Sequence, residues 1–275
     1  MTFPNRDGTL GTRGCIFCSQ KGSGDFAETK CENITQQIEN AKRRVEAKIK
    51  SGKFIAYFQD FTNTYAPTEH LERIFLKAIN HPDIVALSIA TRPDCLPKEV
   101  LNLLERLNKI KPVWVELGLQ TVHPASARYI RRGYDLNVFD KAVKDLKNIG
   151  VKVIAHMIAG LPQETDEMIF ETASYIGHSG ADGIKIHLLH VLEGTDLADD
   201  YEKGKFQLPT LEKYTELVLG CLKRIPKTMV VHRLTGDGAK RDLIAPLWSA
   251  DKKKVLNYIN KEISNSNLRQ GELFD

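Results

Sequence analysis

The chain has 275 residues, of which 42% are hydrophobic, enough to bury the core of one large domain or two small ones. Its net charge of +4 permits an RNA or phosphate partner without requiring one. The uneven positions of the five cysteines, the polar first residues and the lack of a long apolar run argue against a disulfide framework, a secretory leader and a membrane partner. The sequence therefore predicts a cytoplasmic protein.

Short apolar strands alternate with amphipathic helices along most of the chain. Strands are predicted at 54–58, 84–90, 113–119, 151–159, 183–191 and 229–234, and helices at 68–80, 97–107, 137–148, 166–179 and 211–224. Continuous apolar strands joined by helices are typical of parallel βαβ units. The pattern predicts an α/β fold, a partial (β/α)6 TIM-like barrel over residues 1–242. Residues 243–275 are expected to form a helical extension that caps the barrel.

The first chemical motif is Gly14-Cys15-Ile16-Phe17-Cys18, a CxxC in a glycine-rich loop. Thiolates at this spacing bind zinc or an iron–sulfur cluster. No second CxxC or histidine pair with zinc-finger spacing follows, which weakens the zinc interpretation. Cys15 and Cys18 are the predicted metal ligands.

Polar side chains recur on the predicted strands and where they end. In a parallel barrel the carboxyl ends of the strands carry the chemistry, so these side chains are expected to converge. They are Gln59, Asp60, Thr62 and Asn63, then Thr91, Arg92 and Asp94, then Glu116 and Gln120, then His156, and finally Lys185, His187, His190, His232 and Arg233.

Alternation along a strand places Glu116 and Gln120 on one face and Lys185 and His187 on one face of another strand. A buried glutamate must be paired or hydrogen-bonded, and Arg92 or Lys185 is its expected partner in a purely structural network. If the second face points inward, Lys185 and His187 are the predicted catalytic pair.

The ordered set of motifs resembles the radical S-adenosylmethionine enzymes, and in detail the bacterial branch related to the Elongator catalytic subunit. The resemblance covers nearly the whole chain and implies a [4Fe–4S] cluster, bound S-adenosylmethionine and an external electron donor. The matching runs are Pro4-Asn5-Arg6-Asp7-Gly8-Thr9, Gly14-Cys15 to Cys18, Thr91-Arg92-Pro93-Asp94, Glu116-Leu117-Gly118-Leu119-Gln120-Thr121, Arg132-Gly133, Gly160-Leu161-Pro162 and Gly183-Ile184-Lys185-Ile186-His187, with Ala245-Pro246-Leu247-Trp248 matching less firmly.

The resemblance also implies how the cofactor adenine is held. Phe17 is expected to pack near the adenine, and the backbone of Gly160-Leu161-Pro162 is expected to pair with its edge. A core aromatic side chain and a tight turn are the alternative interpretations of these residues.

Other residues are predicted to hold the ribose and the methionine part of the cofactor. Gln120 is expected near the ribose and Arg132 at the carboxylate, through its planar guanidinium. Gln59 stands where many of these enzymes have a Gly-Gly-Glu-Pro run that binds the ammonium group; it can accept a hydrogen bond or cap a loop. Glu116 is also predicted to be a cofactor-binding residue. The alternative is the purely structural pairing with Arg92 or Lys185 described above.

One position departs from the family pattern. The branch has its first cluster cysteine directly before the Pro-Asn-Arg-Asp-Gly run, and this sequence has Phe3 there. Phenylalanine cannot ligate iron. The departure predicts either that the start of this sequence is truncated or altered, or that Cys31 substitutes, and it predicts impaired cluster binding.

The expected chemistry is reductive cleavage of S-adenosylmethionine to a 5′-deoxyadenosyl radical. The expected substrate is the C5 side chain of the wobble uridine of tRNA, with phosphate contacts from Arg128, Arg131, Lys240, Arg241 and Lys252 to Lys254. Two alternatives remain open: a radical enzyme acting on a protein or a small metabolite, and a non-catalytic RNA-binding module that holds a cluster or zinc.

Overall fold

The fold is known from a computed structural model that describes residues 2–19, 27–28, 31, 33–45 and 52–275. Its strands are β1 (Phe54–Phe58), β2 (Ile84–Thr91), β3 (Val113–Gln120), β4 (Lys152–Ala159), β5 (Gly183–Leu188), β6 (Val191–Leu192), β7 (Val230–Arg233) and β8 (Leu243–Ala245). Six of them form one parallel sheet in the order β1-β2-β3-β4-β5-β7, and β6 and β8 form an antiparallel ribbon.

The helices are α1 (Ile34–Val45), α2 (Thr68–Ile79), α3 (Lys98–Asn108), α4 (Pro124–Tyr129), α5 (Leu136–Asn148), α6 (Asp166–His178), α7 (Asp196–Glu202), α8 (Leu211–Lys223) and α9 (Lys252–Asn265). Most of the helices pack on the outer face of the six-stranded sheet, whereas α4 and α7 contribute to a second apolar cluster. Threonine side chains cap the N-termini of α6 and α8. Thr165 accepts a hydrogen bond from Met168 N, and Thr210 accepts one from Lys213 N.

The main core lies between the sheet and these helices. Leu87, Val115 and Val153 from three neighbouring strands are fully buried there against Phe75 of α2 and Phe139 of α5. Every second residue of these strands therefore points away from this core, towards the inner surface of the sheet. We call this inner surface the concave face.

The sheet is strongly curled. The rings of Trp114 on β3 and His232 on β7 are 5.7 Å apart, in edge-to-face contact. Three strand spacings separate β3 from β7, about 14 Å in a flat sheet, so this contact requires the two strands to face each other across the concave face. The expected partial (β/α)6 barrel is confirmed.

The sequence pattern does not predict α4, α7 or β8, but each strand and helix that it does predict lies within one or two residues of an observed one, with one exception. The strand predicted at 183–191 ends at Leu188, because Val191 and Leu192 leave the sheet and pair with β8. The prediction joined two strands that the half-buried His190 separates.

The C-terminal segment follows β8 and lies along α8. Val255 and Ile259 of α9 are buried in the main core, and Leu273 N donates to Lys223 O at the end of α8. Among the described residues, no helix is both long and apolar enough to cross a membrane.

Candidate active site

Glu116 is the centre of a polar network on the concave face. Its carboxylate is 3% exposed and accepts hydrogen bonds from Tyr57 Oη at 2.9 Å, Ser88 Oγ at 2.5 Å, His156 Nε2 at 2.7 Å and Lys185 Nζ at 2.5 Å. The four donors come from β1, β2, β4 and β5, so one carboxylate on β3 links five adjacent strands. We call these five residues the Glu116 cluster.

The Glu116 cluster contains one ion pair. Burial opposes ionisation of Glu116, but the hydrogen bonds donated by His156 and Lys185, together with the charge of Lys185, outweigh it and hold the pKa of Glu116 below its ordinary value. Burial raises the pKa of Tyr57 and lowers the pKa of His156 and of Lys185. Because its ammonium group lies 2.5 Å from the carboxylate, Lys185 is the charged partner, and Tyr57 and His156 are neutral donors.

His187 lies next to the Glu116 cluster on the same face of β5. Its ring centroid is 5.0 Å from that of His156, and its Nε2 is buried with no hydrogen-bond partner among the described residues. Burial holds the pKa of His187 well below its ordinary value, so the ring is neutral near pH 7. The concave face thus presents a neutral imidazole with unused hydrogen-bonding capacity.

The loop after β3 is held by Arg132. Its guanidinium donates to the backbone oxygens of Leu119 (3.2 Å), Thr121 (2.6 Å) and Tyr134 (3.0 Å), and it lies 4.8 Å from the Tyr134 ring centroid. Gln120 at the end of β3 has a φ of +68°, which turns the chain sharply out of the strand. Arg132 therefore stabilises the turn that presents Gln120.

A second turn follows β4. Gly160 has a φ of +92°, a conformation that a side chain disfavours, and a Cβ there would lie 3.4 Å from Pro209. Leu161 and Pro162 are buried. Phe17 packs against the apolar cluster that contains Ile16 and Leu161, so the CxxC loop and this turn contribute to the same cluster.

The CxxC loop is bound to the carboxyl end of the barrel by its backbone. Ile16 N donates to Ile130 O, and Ile16 O accepts from Leu197 N. Gly14 has a φ of +73°, and a Cβ there would lie 2.8 Å from Arg6 Nε. The hydrogen bond with Cys18 holds the pKa of Cys15 below its ordinary value despite burial, and nearby arginines add to this effect.

The donors near the CxxC loop do not fit a three-cysteine [4Fe–4S] cluster. Cys15 and Cys18 offer two thiolates, and in the described part of the chain no further His, Cys, Asp or Glu ligand atom joins them within 4.8 Å. Phe3 is 5% exposed, packs 5.8 Å from Phe61 and lies beneath the Arg6 guanidinium. The apolar ring of Phe3 therefore lies beside Gly14 of the CxxC loop.

Comparison with known families identifies the chain. The model of the Radical SAM superfamily matches residues 10–176, and the Radical_SAM C-terminal domain matches residues 181–265. The chain belongs to the radical SAM superfamily. It is 47% identical to YtqA of Bacillus subtilis over 98% of this chain and 84% of that protein.

Two further matches cover a smaller part of the other protein. The tRNA uridine(34) acetyltransferase of Methanocaldococcus jannaschii is 31% identical over 56% of this chain and 28% of that protein. The structure of Elp3 from the archaeon Methanocaldococcus infernus superposes with a TM-score of 0.70 at 21% identity, covering 86% of this chain and 59% of that chain. At this identity the superposition supports the radical SAM fold alone.

The structure brings the predicted site residues together in two groups. One group lies at the carboxyl ends of the strands, where Gln120 ends β3 and Gln59 directly follows β1, and the loops there contain Phe17, Gly160, Leu161, Pro162 and the two cysteines. Glu116, Lys185 and His187 lie on the concave face. Of the two partners predicted for Glu116, the structure selects Lys185, because Arg92 pairs with Asp94 at 2.7 Å.

Sequence reasoning missed two members of the Glu116 cluster, Tyr57 and Ser88. Both belong to strands that read as apolar runs. Their positions follow from the pairing register of the strands. Tyr57 on β1 is paired with Ser88 on β2, and Ala90 on β2 is paired with Glu116 on β3. Residues two apart on β2 therefore share the face of Glu116.

Proposed function

We propose that this protein is a radical S-adenosylmethionine enzyme that modifies the C5 side chain of the wobble uridine of tRNA. The proposal rests on the relative positions of the CxxC loop, the turn after β4 and the Glu116 cluster. The CxxC loop and the Gly160-Leu161-Pro162 turn contribute to one apolar cluster, and the Glu116 cluster lies inside the same barrel.

The proposed cofactor contacts use the loops at the carboxyl ends of the strands. The backbone of Gly160-Leu161-Pro162 binds the adenine edge with Phe17 beside it, and Gln120 binds the ribose. Arg132 donates to three carbonyl oxygens, so its role at the cofactor carboxylate includes holding the loop that makes the site. Gln59, directly after β1, accepts a hydrogen bond from the ammonium group.

The proposed substrate contacts lie on the concave face. Lys185 presents an ammonium group fixed by Glu116, and His187 presents a neutral ring with an unused nitrogen. A substrate that enters between them meets one fixed charge and several hydrogen-bonding groups, with little reorganisation needed.

Support for tRNA comes from named relatives. One of them is a tRNA uridine(34) acetyltransferase, and Elongator complex protein 3 of Schizosaccharomyces pombe is 26% identical over 75% of this chain. This chain matches 28% and 39% of the length of these two proteins. The proposal therefore takes from them only the uridine substrate and not their complete reactions.

The test is anaerobic reconstitution of the native sequence and of Phe3→Cys with iron and sulfide. Iron, sulfide and zinc content are measured, followed by 5′-deoxyadenosine release under reductant, with and without a tRNA transcript. Since two thiolates hold a [4Fe–4S] cluster poorly, we expect release from Phe3→Cys and little from the native sequence. Phe3→Cys with Cys18→Ser is the matched control.

The outcomes separate the hypotheses. Release from both proteins would support the enzyme and overturn the impairment assigned to Phe3. Absence of release from either, with zinc bound, would overturn the radical enzyme and support the RNA-binding module. Release that never modifies the added tRNA would move the substrate to a protein or a small metabolite.

A further inference from the structure

The last strand of the barrel contributes a cation to the concave face. Arg233 ends β7, and its Cα is in register with that of Lys185 on the neighbouring β5. Burial is the main cause of the lowered pKa of His156 and His187, and the positive charge of Arg233 adds to it. Arg233 therefore lies close enough to act electrostatically on this surface.

Arg233 shares its carboxylate partner with a second cation. Lys185 pairs with Glu116 at 2.5 Å. Asp237 is 2.5 Å from Lys252 but 3.8 Å from Arg233. Among the described residues, the cations Lys185, Lys252 and Arg233 thus share the carboxylates of Glu116 and Asp237, and Arg233 has the longest pairing distance of the three. Its side chain is 28% exposed, so it is partly desolvated and still accessible to a ligand.

We propose that Arg233 binds an oxyanion, a phosphate or a carboxylate, carried by the substrate on the concave face. The guanidinium has a planar fork that matches both oxyanions with two hydrogen bonds. An anion at this position balances the charge and relieves the repulsion between Arg233 and Lys185.

The surroundings favour a small planar molecule attached to this anion. His232 precedes Arg233 in the sequence, and its ring packs edge-to-face on that of Trp114 across the sheet. Tyr57 on the edge strand β1 is 37% exposed, although its hydroxyl group is hydrogen-bonded to Glu116. Aromatic rings beside a cation are the usual elements of a nucleotide site. The inference extends the proposed function, since it names the group that anchors its substrate.

The test needs neither cluster nor S-adenosylmethionine. The histidines of the full chain are labelled with 15N, and NMR spectra are recorded during titrations with inorganic phosphate and with acetate at constant ionic strength set by chloride. We expect saturable shifts of the His187 and His232 signals. A stronger response to phosphate assigns a phosphate-bearing substrate, and a stronger response to acetate assigns a carboxylate-bearing one.

Two variants locate the effect. Arg233→Gln is expected to weaken binding at least about tenfold, and Arg233→Lys to keep part of it because the charge remains while the fork is lost. Arg106→Gln, which changes an exposed arginine paired with Glu72 at 2.7 Å, is expected to bind like the native protein.

Two results would overturn the inference. One is the absence of saturable shifts with either anion, and the other is equal affinity in Arg233→Lys, Arg233→Gln and the native protein. Either result leaves 5′-deoxyadenosine release untouched, so failure of this inference and failure of the proposed function are distinguishable.

Discussion

Glu116 and Lys185, 69 positions apart in the sequence, form a buried ion pair of 2.5 Å on the concave face. The two side chains are 3% and 9% exposed, so solvent screens the pair weakly, and three neutral side chains complete its hydrogen bonding. Breaking this pair is therefore expected to cost more folding stability than breaking one of the exposed pairs on the helices.

Removing the charge of Glu116 alone is expected to destabilise the protein. Glu116→Gln leaves Lys185 buried beside Arg233 without a counterion, and breaking a buried pair from one side costs about 3–5 kcal/mol. The free energy of unfolding in urea measures this. Glu105→Gln, in an exposed pair with Lys109 at 3.0 Å, is the control and should change it by less than about 0.5 kcal/mol. Replacement of both residues, Glu116→Gln with Lys185→Met, should recover most of the loss; no recovery would contradict the ion-pair explanation.

Stability is expected to fall as the pH drops below about 6.5, the pKa of an unfolded histidine. Burial lowers the pKa of His156 and His187 in the folded state, so the unfolded chain binds protons more readily. The stability that this difference provides is present above that pH and is lost as the pH falls towards the folded pKa values. Urea midpoints at pH 7.5 and 5.5 measure the slope, and His187→Gln should reduce it. An unchanged slope in that variant would exclude His187 as a contributor.

Arg132→Lys tests whether this arginine holds its loop. A lysine cannot donate to the carbonyl oxygens of Leu119, Thr121 and Tyr134 together. We expect a loss of about 1–3 kcal/mol in stability and faster proteolysis near the loop in the absence of any ligand. Normal stability with lost S-adenosylmethionine binding would instead assign the side chain to the cofactor alone.

Gly160→Ala tests the turn after β4. At a φ of +92° a side chain costs about 1–2 kcal/mol, and its Cβ would also contact Pro209. Gly180→Ala is a matched control, because Gly180 has a φ of +86° and no atom within 4 Å of its Cβ position. Both variants should lower the melting temperature, but only Gly160→Ala should weaken S-adenosylmethionine binding in calorimetry. Equal binding in both would remove this turn from the proposed adenine site.

The sequence predicted the local structure well because apolar runs such as 113–119 and 151–159 are long and clearly bounded. It also predicted that Lys185 and His187 share a face, since alternation within one strand suffices. The partners of Glu116 depend on the register between strands, which no local pattern encodes. Tyr57 and Ser88 were missed for this reason, and Arg92 remained an alternative because its local pairing with Asp94 depends on the turn after β2.

The Glu116 cluster also bears on how the chain folds. Its hydrogen bonds join residues 28, 40, 59 and 69 positions apart, so they form only after several long loops have closed. Strands β1 and β5 contribute from opposite sides of β3, and neither half of the barrel contains the whole set. The barrel is therefore expected to unfold in one cooperative transition, with the backbone amides of β3 among the last to exchange with solvent.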